Sequence, residues 1–160
     1  MKKESNSADD FSYKVENDGI AITGYKGEIK YVVIPSEIDG LPVVAIGNSA
    51  FMEKNLINVV IPNSVKTIEG DAFAYNKLTD IVIPDSVEII GKWAFYYNEL
   101  SKVVILGSVK IDTAAFMNNP LPESNVEIHG SNVIIGIDAF SCDDITFARY
   151  QPRASLDYWS

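Results

Sequence analysis

The chain contains few of the residues from which catalytic and metal sites are built. It has one cysteine, Cys142, and one histidine, His129. A single cysteine excludes an internal disulfide, and no cysteine and histidine spacing resembles a zinc site. A nucleophile and base pair would need Cys142 and His129 within hydrogen-bond reach, yet they occupy unrelated positions of the sequence pattern described below. No glycine-rich loop suited to phosphate is present either. We therefore predict a protein that is not an enzyme, with no catalytic residue, metal ligand or cofactor.

Basic residues and long apolar runs are also scarce. The chain has 13 Lys and Arg against 22 Asp and Glu, which gives a net charge of -9. This balance argues against nucleic acid and anionic lipid as partners, since both are bound by clustered basic side chains. No apolar run approaches the roughly 18 residues of a membrane span, so we expect no membrane insertion by this chain. The start, "MKKESNSADDF", lacks an apolar stretch and is not an intact signal peptide, so the protein is either cytosolic or a mature or trimmed form.

What the sequence does contain is a repeat built around Ala-Phe pairs. The five pairs are Ala50-Phe51, Ala72-Phe73, Ala94-Phe95, Ala115-Phe116 and Ala139-Phe140. The phenylalanines are separated by 22, 22, 21 and 24 residues. A fixed period of this length is typical of a solenoid, in which each unit is too short to bury its own apolar face and buries it against its neighbours.

Further apolar positions keep the same period. Five residues after each Phe comes an aliphatic residue: Leu56, Leu78, Leu100, Leu121 and Ile145. The first three of them, Leu56, Leu78 and Leu100, open an L-x-x-[VI]-x-[VI] segment whose last two apolar residues share one face of a predicted short strand. Pro62 and Pro84 end two of these strands, and Val65, Val87 and Val109 point inward after a turn.

One periodic position is polar. Asn76, Asn98 and Asn119 lie three residues after their Phe, and Asn55 lies four residues after Phe51. We predict that these side chains stack as an asparagine ladder and satisfy backbone groups where the chain turns. Asp143 holds the position in the fifth repeat, which indicates that the stack ends there.

The ends of the array differ from its middle, as the ends of a solenoid must. Residues 11–25 alternate around Asn17-Asp18-Gly19, which predicts a β-hairpin. A second turn lies in residues 37–43, and residues 119–125 enlarge a later junction. We predict a flexible segment at 1–10, a single solenoid domain at 11–149 whose residues 11–28 form the hairpin cap, and a C-terminal cap or tail at 150–160.

The repeat "L-x-x-[VI]-x-I-P-x-S-V-x-x-I-x-x-x-A-F-x-x-N" resembles the BspA-like, or treponemal-type, leucine-rich repeat. Residues 19–51 resemble the usual first repeat of such proteins, and the likeness covers about residues 11–147. Leu106 departs from the pattern because it replaces the strand-ending proline. The resemblance implies an α/β-type but mainly β solenoid: a right-handed leucine-rich-repeat coil of about five repeats, with strands on one side and turns or short helical pieces on the other.

The same resemblance implies a function. Such proteins are bacterial or protist, often secreted or attached to the cell surface, and are thought to bind host proteins or other cells. We therefore expect a non-catalytic module for protein recognition or adhesion, located outside or on the surface of a bacterial cell. Two alternatives stay open: a structural spacer that presents another domain, and a glycan-binding module.

The first candidate binding surface is the predicted strand face. Its outward residues are Val33, Val60, Val82, Val104 and then Glu127, and the residues two positions earlier are Tyr31, Asn58, Asp80, Lys102 and Asn125. A contiguous exposed apolar strip is unusual on a monomer and would suit a protein partner. The alternative is that valine is present only because branched residues favour strands.

The second candidate surface is aromatic. Tyr75 and Tyr97 share the position two residues after Phe, Tyr96 adjoins Tyr97, and Trp93 lies two residues before Phe95. Such a cluster could anchor a protein or stack on a sugar. The alternative is that these rings only cover the core and pack along the stack.

Overall fold

The structure is a computed structural model that describes residues 5–16 and 19–142. These ranges contain no α-helix, only two single turns of 3-10 helix at Ala8–Asp10 and Glu123–Asn125. The strands are β1 Phe11–Glu16, β2 Gly19–Tyr25, β3 Tyr31–Val33, β4 Glu37–Ile38, β5 Leu41–Ile46, β6 Asn58–Val60, β7 Thr67–Ile68, β8 Asp80–Ile83, β9 Ile89–Ile90, β10 Lys102–Ile105, β11 Lys110–Ile111, β12 Val126–Ile128 and β13 Ile134–Ile135.

Each coil contributes to two stacks of parallel strands. The first ladder comprises β3 with β6 in one sheet and β8, β10 and β12 in another. The second ladder runs β2-β5-β7-β9-β11-β13 within an eight-stranded sheet that also contains β1 and β4. The predicted mainly β solenoid with an N-terminal hairpin is confirmed.

The expectation that strands occupy one side only was incomplete. The second side is also a ladder, in which most strands are two residues long, as in the pairing of Thr67–Ile68 with Ile89–Ile90. Two residues cannot show the alternation by which a strand is recognised in a sequence. Such strands exist because stacking places the same short segment of every coil in hydrogen-bonding register.

The core is organised around the stacked phenylalanines. Ring centroids are 4.9 Å apart for Phe51 and Phe73, 5.2 Å for Phe73 and Phe95, 4.9 Å for Phe95 and Phe116, and 5.0 Å for Phe116 and Phe140. These distances are close to the roughly 4.8 Å between neighbouring strands, so equivalent rings of successive coils meet face to face. We call this row the phenylalanine ladder. Each repeat thus completes the packing of the one before it.

The asparagine ladder is confirmed for three of its predicted members, Asn76, Asn98 and Asn119, which are buried. The Asn98 side chain accepts a hydrogen bond from the Leu78 amide at 3.1 Å. Its amide nitrogen donates to the carbonyl of Phe73 at 2.9 Å and to that of Phe95 at 3.2 Å. Each of these side chains therefore fastens its own coil to the preceding one.

The fourth predicted member, Asn55, does not belong to the ladder. Asn55 is exposed and has a positive φ of 54°. The Leu56 amide beside it instead donates to Asn76 of the next coil at 3.0 Å. The reason is the register, because Lys54 holds the ladder position, three residues after Phe51. Asp143 lies outside the described residues.

The N-terminal end is closed by the antiparallel pair β1 and β2. Phe11 of β1 is buried, with its ring 6.1 Å from that of Phe51. Residues 17 and 18 of the predicted hairpin turn lie outside the described residues, as does the predicted C-terminal segment 150–160. The second predicted turn, between β4 and β5, has positive φ at Asp39 and Gly40, as a two-residue hairpin requires.

The structure describes residues 5–10 of the segment for which we predicted flexibility. Asn6 holds this segment against the first ladder, since its backbone N–H donates to the Val33 carbonyl at 2.9 Å. The Asn6 side chain in turn accepts from the Val33 amide at 2.8 Å. This pair of hydrogen bonds extends the pairing of β3 at the N-terminal end of the stack.

Candidate functional site

The strand face is the outward surface of the first ladder, and it has the register predicted from the sequence. Tyr31 lies opposite Asn58 and Val33 opposite Val60. Lys102 lies opposite Asp80 and Val104 opposite Val82. Val104 also faces Glu127 of β12. The alternate residues of β6, β8 and β10, among them Val59 and Ile81, are buried, and those of β12 are partly buried, so the pattern of one inward and one outward face holds.

A shallow groove interrupts this face between β6 and β8. The two strands are in contact, yet β6 belongs to the sheet of β3, whereas β8 belongs to the sheet of β10 and β12. Val60, Val82 and Leu106 line the groove and are 45%, 49% and 44% exposed. Asn58 and Asp80 place polar groups on the same lining. We call this depression the valine groove.

Leu106 was not predicted as a binding residue, although the sequence shows it in place of the proline that ends equivalent strands. It follows the last residue of β10, Ile105, and so lies outside the strand. Strand propensity can therefore account for an exposed Val60 or Val82 but not for an exposed Leu106.

Towards β12 the strand face becomes polar. The Lys102 ammonium lies 2.7 Å from a carboxylate oxygen of Glu127, and His129 lies 3.8 Å from the other oxygen. The hydrogen bond and charge of Lys102 lower the pKa of Glu127 below its ordinary value. The apolar part of the face is thus confined to the coils around the valine groove.

Three of the four predicted aromatic residues form a contiguous surface. The ring centroids of Tyr75 are 5.3 Å from Tyr96 and 5.5 Å from Tyr97, and those of Tyr96 and Tyr97 are 6.0 Å apart. The Asn118 side chain donates to the Tyr96 hydroxyl at 3.3 Å. We call Tyr75, Tyr96 and Tyr97 the tyrosine patch. The rings touch one another, so they present a platform rather than a cage.

Trp93 does not join the patch. Its ring lies under the ammonium of Lys92, 4.0 Å from the centroid, and contacts no other aromatic ring within the described ranges. Trp93 is nevertheless 40% exposed, and Tyr75 and Tyr97 of the patch are 42% and 57% exposed. Tyr75 and Tyr97 pack along the stack, as the alternative interpretation of these rings holds, and their exposure leaves surface free for a partner.

Two positions of each repeat have left-handed backbone. Positive φ recurs two residues before Phe, at Ser49, Asp71, Trp93, Ala114 and Asp138, and two residues after it, at Glu53, Tyr75, Tyr97 and Asn118. For an L-residue this conformation costs about 1–2 kcal/mol, and asparagine and aspartate tolerate it best. Trp93, Tyr75 and Tyr97 are thus bulky residues at positions where other coils have smaller side chains, such as Asn118 and Asp71.

The surroundings of Tyr75 are electronegative. Partial burial raises the pKa of Tyr75, the neighbouring Tyr96 raises it further, and the carboxylates of Asp71 and Glu53 act in the same direction. Glu53 occupies the position equivalent to Tyr75 in the preceding coil. The tyrosine patch is therefore a neutral aromatic surface with carboxylates at its border.

The described residues include few of the groups from which metal and catalytic sites are built. No group of three or more potential ligands there could hold a metal ion, and no helix there is long and apolar enough to cross a membrane. Cys142 is a half-buried free thiol, whereas His129 is paired with Glu127 on the strand face. The valine groove and the tyrosine patch are the two candidate surfaces for contact with a partner.

Comparison with known proteins shows which sequence family the repeat matches. The sequence model of one family, described as "BspA type Leucine rich repeat region (6 copies)", matches residues 44–155, more than half of the chain. The crystal structure of a T. pallidum leucine-rich repeat protein is similar to this one, with a TM-score of 0.50 and 22% sequence identity. The similarity covers 89% of this chain and 83% of that one, and at this identity it shows the fold alone. No curated protein matches the sequence.

Proposed function

The chain belongs to the family of BspA-type leucine-rich repeat proteins, whose repeats are protein-interaction modules, and we propose that it is a non-catalytic module that adheres to a protein partner at the surface of a bacterial cell or outside it. The partner would be a host protein or a protein of another cell. The family is associated with bacterial surface proteins, which supports the proposed location.

The valine groove supports the proposal most directly. Val60, Val82 and Leu106 come from three successive coils, and each exposes nearly half of its side chain. Together they form an apolar surface with polar groups on its lining, which is the composition of a typical interface centre and rim. Leu106 is the deciding residue, because neither burial nor strand propensity explains a leucine at a position where other coils have proline.

The test is a binding screen of the whole chain against extracellular-matrix proteins, plasma proteins and glycans at physiological salt. Wild type is compared with Val60→Asp/Val82→Asp on the strand face. The matched control is Thr67→Asp/Ile89→Asp on the second ladder, where Ile89 is 45% exposed and the added charge is the same. We expect saturable binding to a protein that falls about tenfold or more in the strand-face variant and persists in the control.

Leu106→Ala is a second, uncharged probe of the same groove. It removes most of the exposed apolar side chain but retains the backbone N–H that donates to the Ile83 carbonyl at 3.1 Å, a donor that proline would lack. We expect weaker binding with an unchanged fold by circular dichroism. Equal loss in the strand-face variant and in the control would contradict the proposal, since it would show an effect of charge alone. Silence of the whole panel would favour a structural spacer, and glycan binding that is indifferent to the groove variants would favour a glycan-binding module.

A further inference from the structure

The tyrosine patch is a second exposed surface that the proposed strand-face recognition does not use. Tyr75 and Tyr97 occupy equivalent positions of adjacent coils, and Tyr96 joins them into one aromatic platform. Tyrosine is enriched where proteins meet partners because its large ring loses little conformational freedom on binding. The patch therefore has the composition of an anchor point.

The fold does not demand these rings. At the same left-handed position the preceding coil has Glu53 and the following coil has Asn118. Tyr75 and Tyr97 have φ of 55° and 53°, in a region that disfavours bulky side chains. The coil imposes this backbone conformation whichever residue is present, so Tyr75 and Tyr97 are distinguished by the bulk of their side chains, which are 42% and 57% exposed. Neither burial nor backbone preference explains two tyrosines at this position.

The charges at the border of the patch restrict what could bind there. Glu53 occupies the position of Tyr75 in the preceding coil, and its backbone N–H donates to the Ala74 carbonyl beside Tyr75 at 3.1 Å. Its carboxylate and that of Asp71 both act to raise the pKa of Tyr75, after burial and Tyr96, as groups near the patch would. The Lys92 ammonium lies over the face of Trp93, 4.0 Å from the ring centroid. The whole chain has a net charge of -9, so long-range attraction also favours a cation. An aromatic face bordered by carboxylates is complementary to a positively charged, flat group.

We propose that the tyrosine patch binds arginine side chains in a basic segment of a protein partner. The planar guanidinium would stack on the rings of Tyr75 and Tyr97, while its N–H groups reach the carboxylates of Glu53 and Asp71. Lysine fits less well, since its ammonium is compact and more strongly hydrated. This surface is separate from the valine groove, so the two proposals succeed or fail independently.

The probes are an octa-arginine and an octa-lysine peptide, titrated into the whole chain at about 0.15 M salt, where weak long-range attraction is screened. The test variant is Tyr75→Asn/Tyr97→Asn, which removes two rings, leaves the net charge unchanged and introduces the residue that Asn118 already provides at this position. We expect tighter binding of octa-arginine than of octa-lysine. The variant should weaken octa-arginine about tenfold and octa-lysine less.

Two further variants separate stacking from charge. Tyr75→Phe/Tyr97→Phe retains the rings and should retain most of the affinity for octa-arginine. Glu53→Gln/Asp71→Asn retains the rings but removes two charges, and should weaken both peptides. Affinity for octa-arginine that survives the loss of both rings would overturn the proposal, because it would show attraction to the net charge alone. Failure of octa-arginine to bind would overturn it as well.

A glycan array probed with the same variants gives the remaining outcome. Binding of a neutral sugar that is lost in Tyr75→Asn/Tyr97→Asn but not in Glu53→Gln/Asp71→Asn would also overturn the proposal, in favour of a carbohydrate partner. None of these readouts depends on Val60 or Val82, so a failed screen for the strand-face partner leaves them interpretable.

Discussion

The phenylalanine ladder and the tyrosine patch lie in the same loops of this solenoid, one or two residues apart in the sequence, and they span different numbers of coils. The phenylalanine ladder continues through five coils, with centroid spacings between 4.9 and 5.2 Å, and is buried. The tyrosine patch occupies two coils and is largely exposed. A residue that the stack requires should recur through its interior coils, because these coils have equivalent neighbours. A residue confined to two coils is free to serve a contact outside the stack.

The largest expected effect comes from removing one ring of the phenylalanine ladder. Phe95 is buried between Phe73 and Phe116, so Phe95→Ala would leave a cavity in the middle of the stack. We expect a loss of about 3–5 kcal/mol in the free energy of unfolding, measured by urea denaturation. An unfolding midpoint equal to that of wild type would contradict the role assigned to this ring.

The second effect concerns the asparagine ladder that runs beside the rings. Asn98→Ala would leave the buried Leu78 amide without its acceptor, whereas the carbonyls of Phe73 and Phe95 would each keep a second donor from a neighbouring ladder asparagine. We expect a loss of about 1–3 kcal/mol, the usual cost of one buried group that loses its hydrogen bond. The control is Asn63→Ala at an exposed position, for which we expect less than about 0.5 kcal/mol. Similar losses for the two variants would show that the ladder adds no stability.

The third effect should be close to zero, and it separates the two sets of rings most sharply. Tyr97→Asn loses a ring contact with Tyr75, worth about 0.5–1.5 kcal/mol, but places asparagine, which tolerates left-handed backbone better than tyrosine, where this conformation costs an ordinary L-residue about 1–2 kcal/mol. We expect a free energy of unfolding within about 1 kcal/mol of wild type by the same denaturation experiment. A loss as large as that of Phe95→Ala would mean that the tyrosine patch is structural.

The contrast between a residue that recurs in each coil and one that does not also explains which features of the structure could be predicted from the sequence. The Phe, Leu and Asn positions were predictable because the same chemistry recurs at a fixed period, and the structure places them in the core. The left-handed positions were not, since Ser49, Asp71, Trp93, Ala114 and Asp138 share no side-chain chemistry. Their common feature is a backbone conformation imposed by the coil, which only the structure reveals.

The candidate surfaces were predictable in part for a similar reason. Tyr75 and Tyr97 meet because they share a periodic position, and the outward valines follow from strand alternation. Trp93 lies at another position and packs under Lys92, a contact that no periodicity indicates. Leu106 was visible only as a missing proline, and its exposure beside Val82 depends on how the groove opens between β6 and β8.

The smallest expected effect tests the electronegative border of the tyrosine patch. Because the pKa of Tyr75 is raised in the folded protein above its ordinary value of 10.0, its contribution to stability is fully present below that pH and is lost as pH rises through the folded pKa. We expect Glu53→Gln to lower the pKa of Tyr75, followed by NMR of the ring-labelled protein. Glu88→Gln, on the second ladder, should leave it unchanged. A wild-type pKa at or below 10.0 would contradict the electronegative environment and weaken the case for a cationic partner.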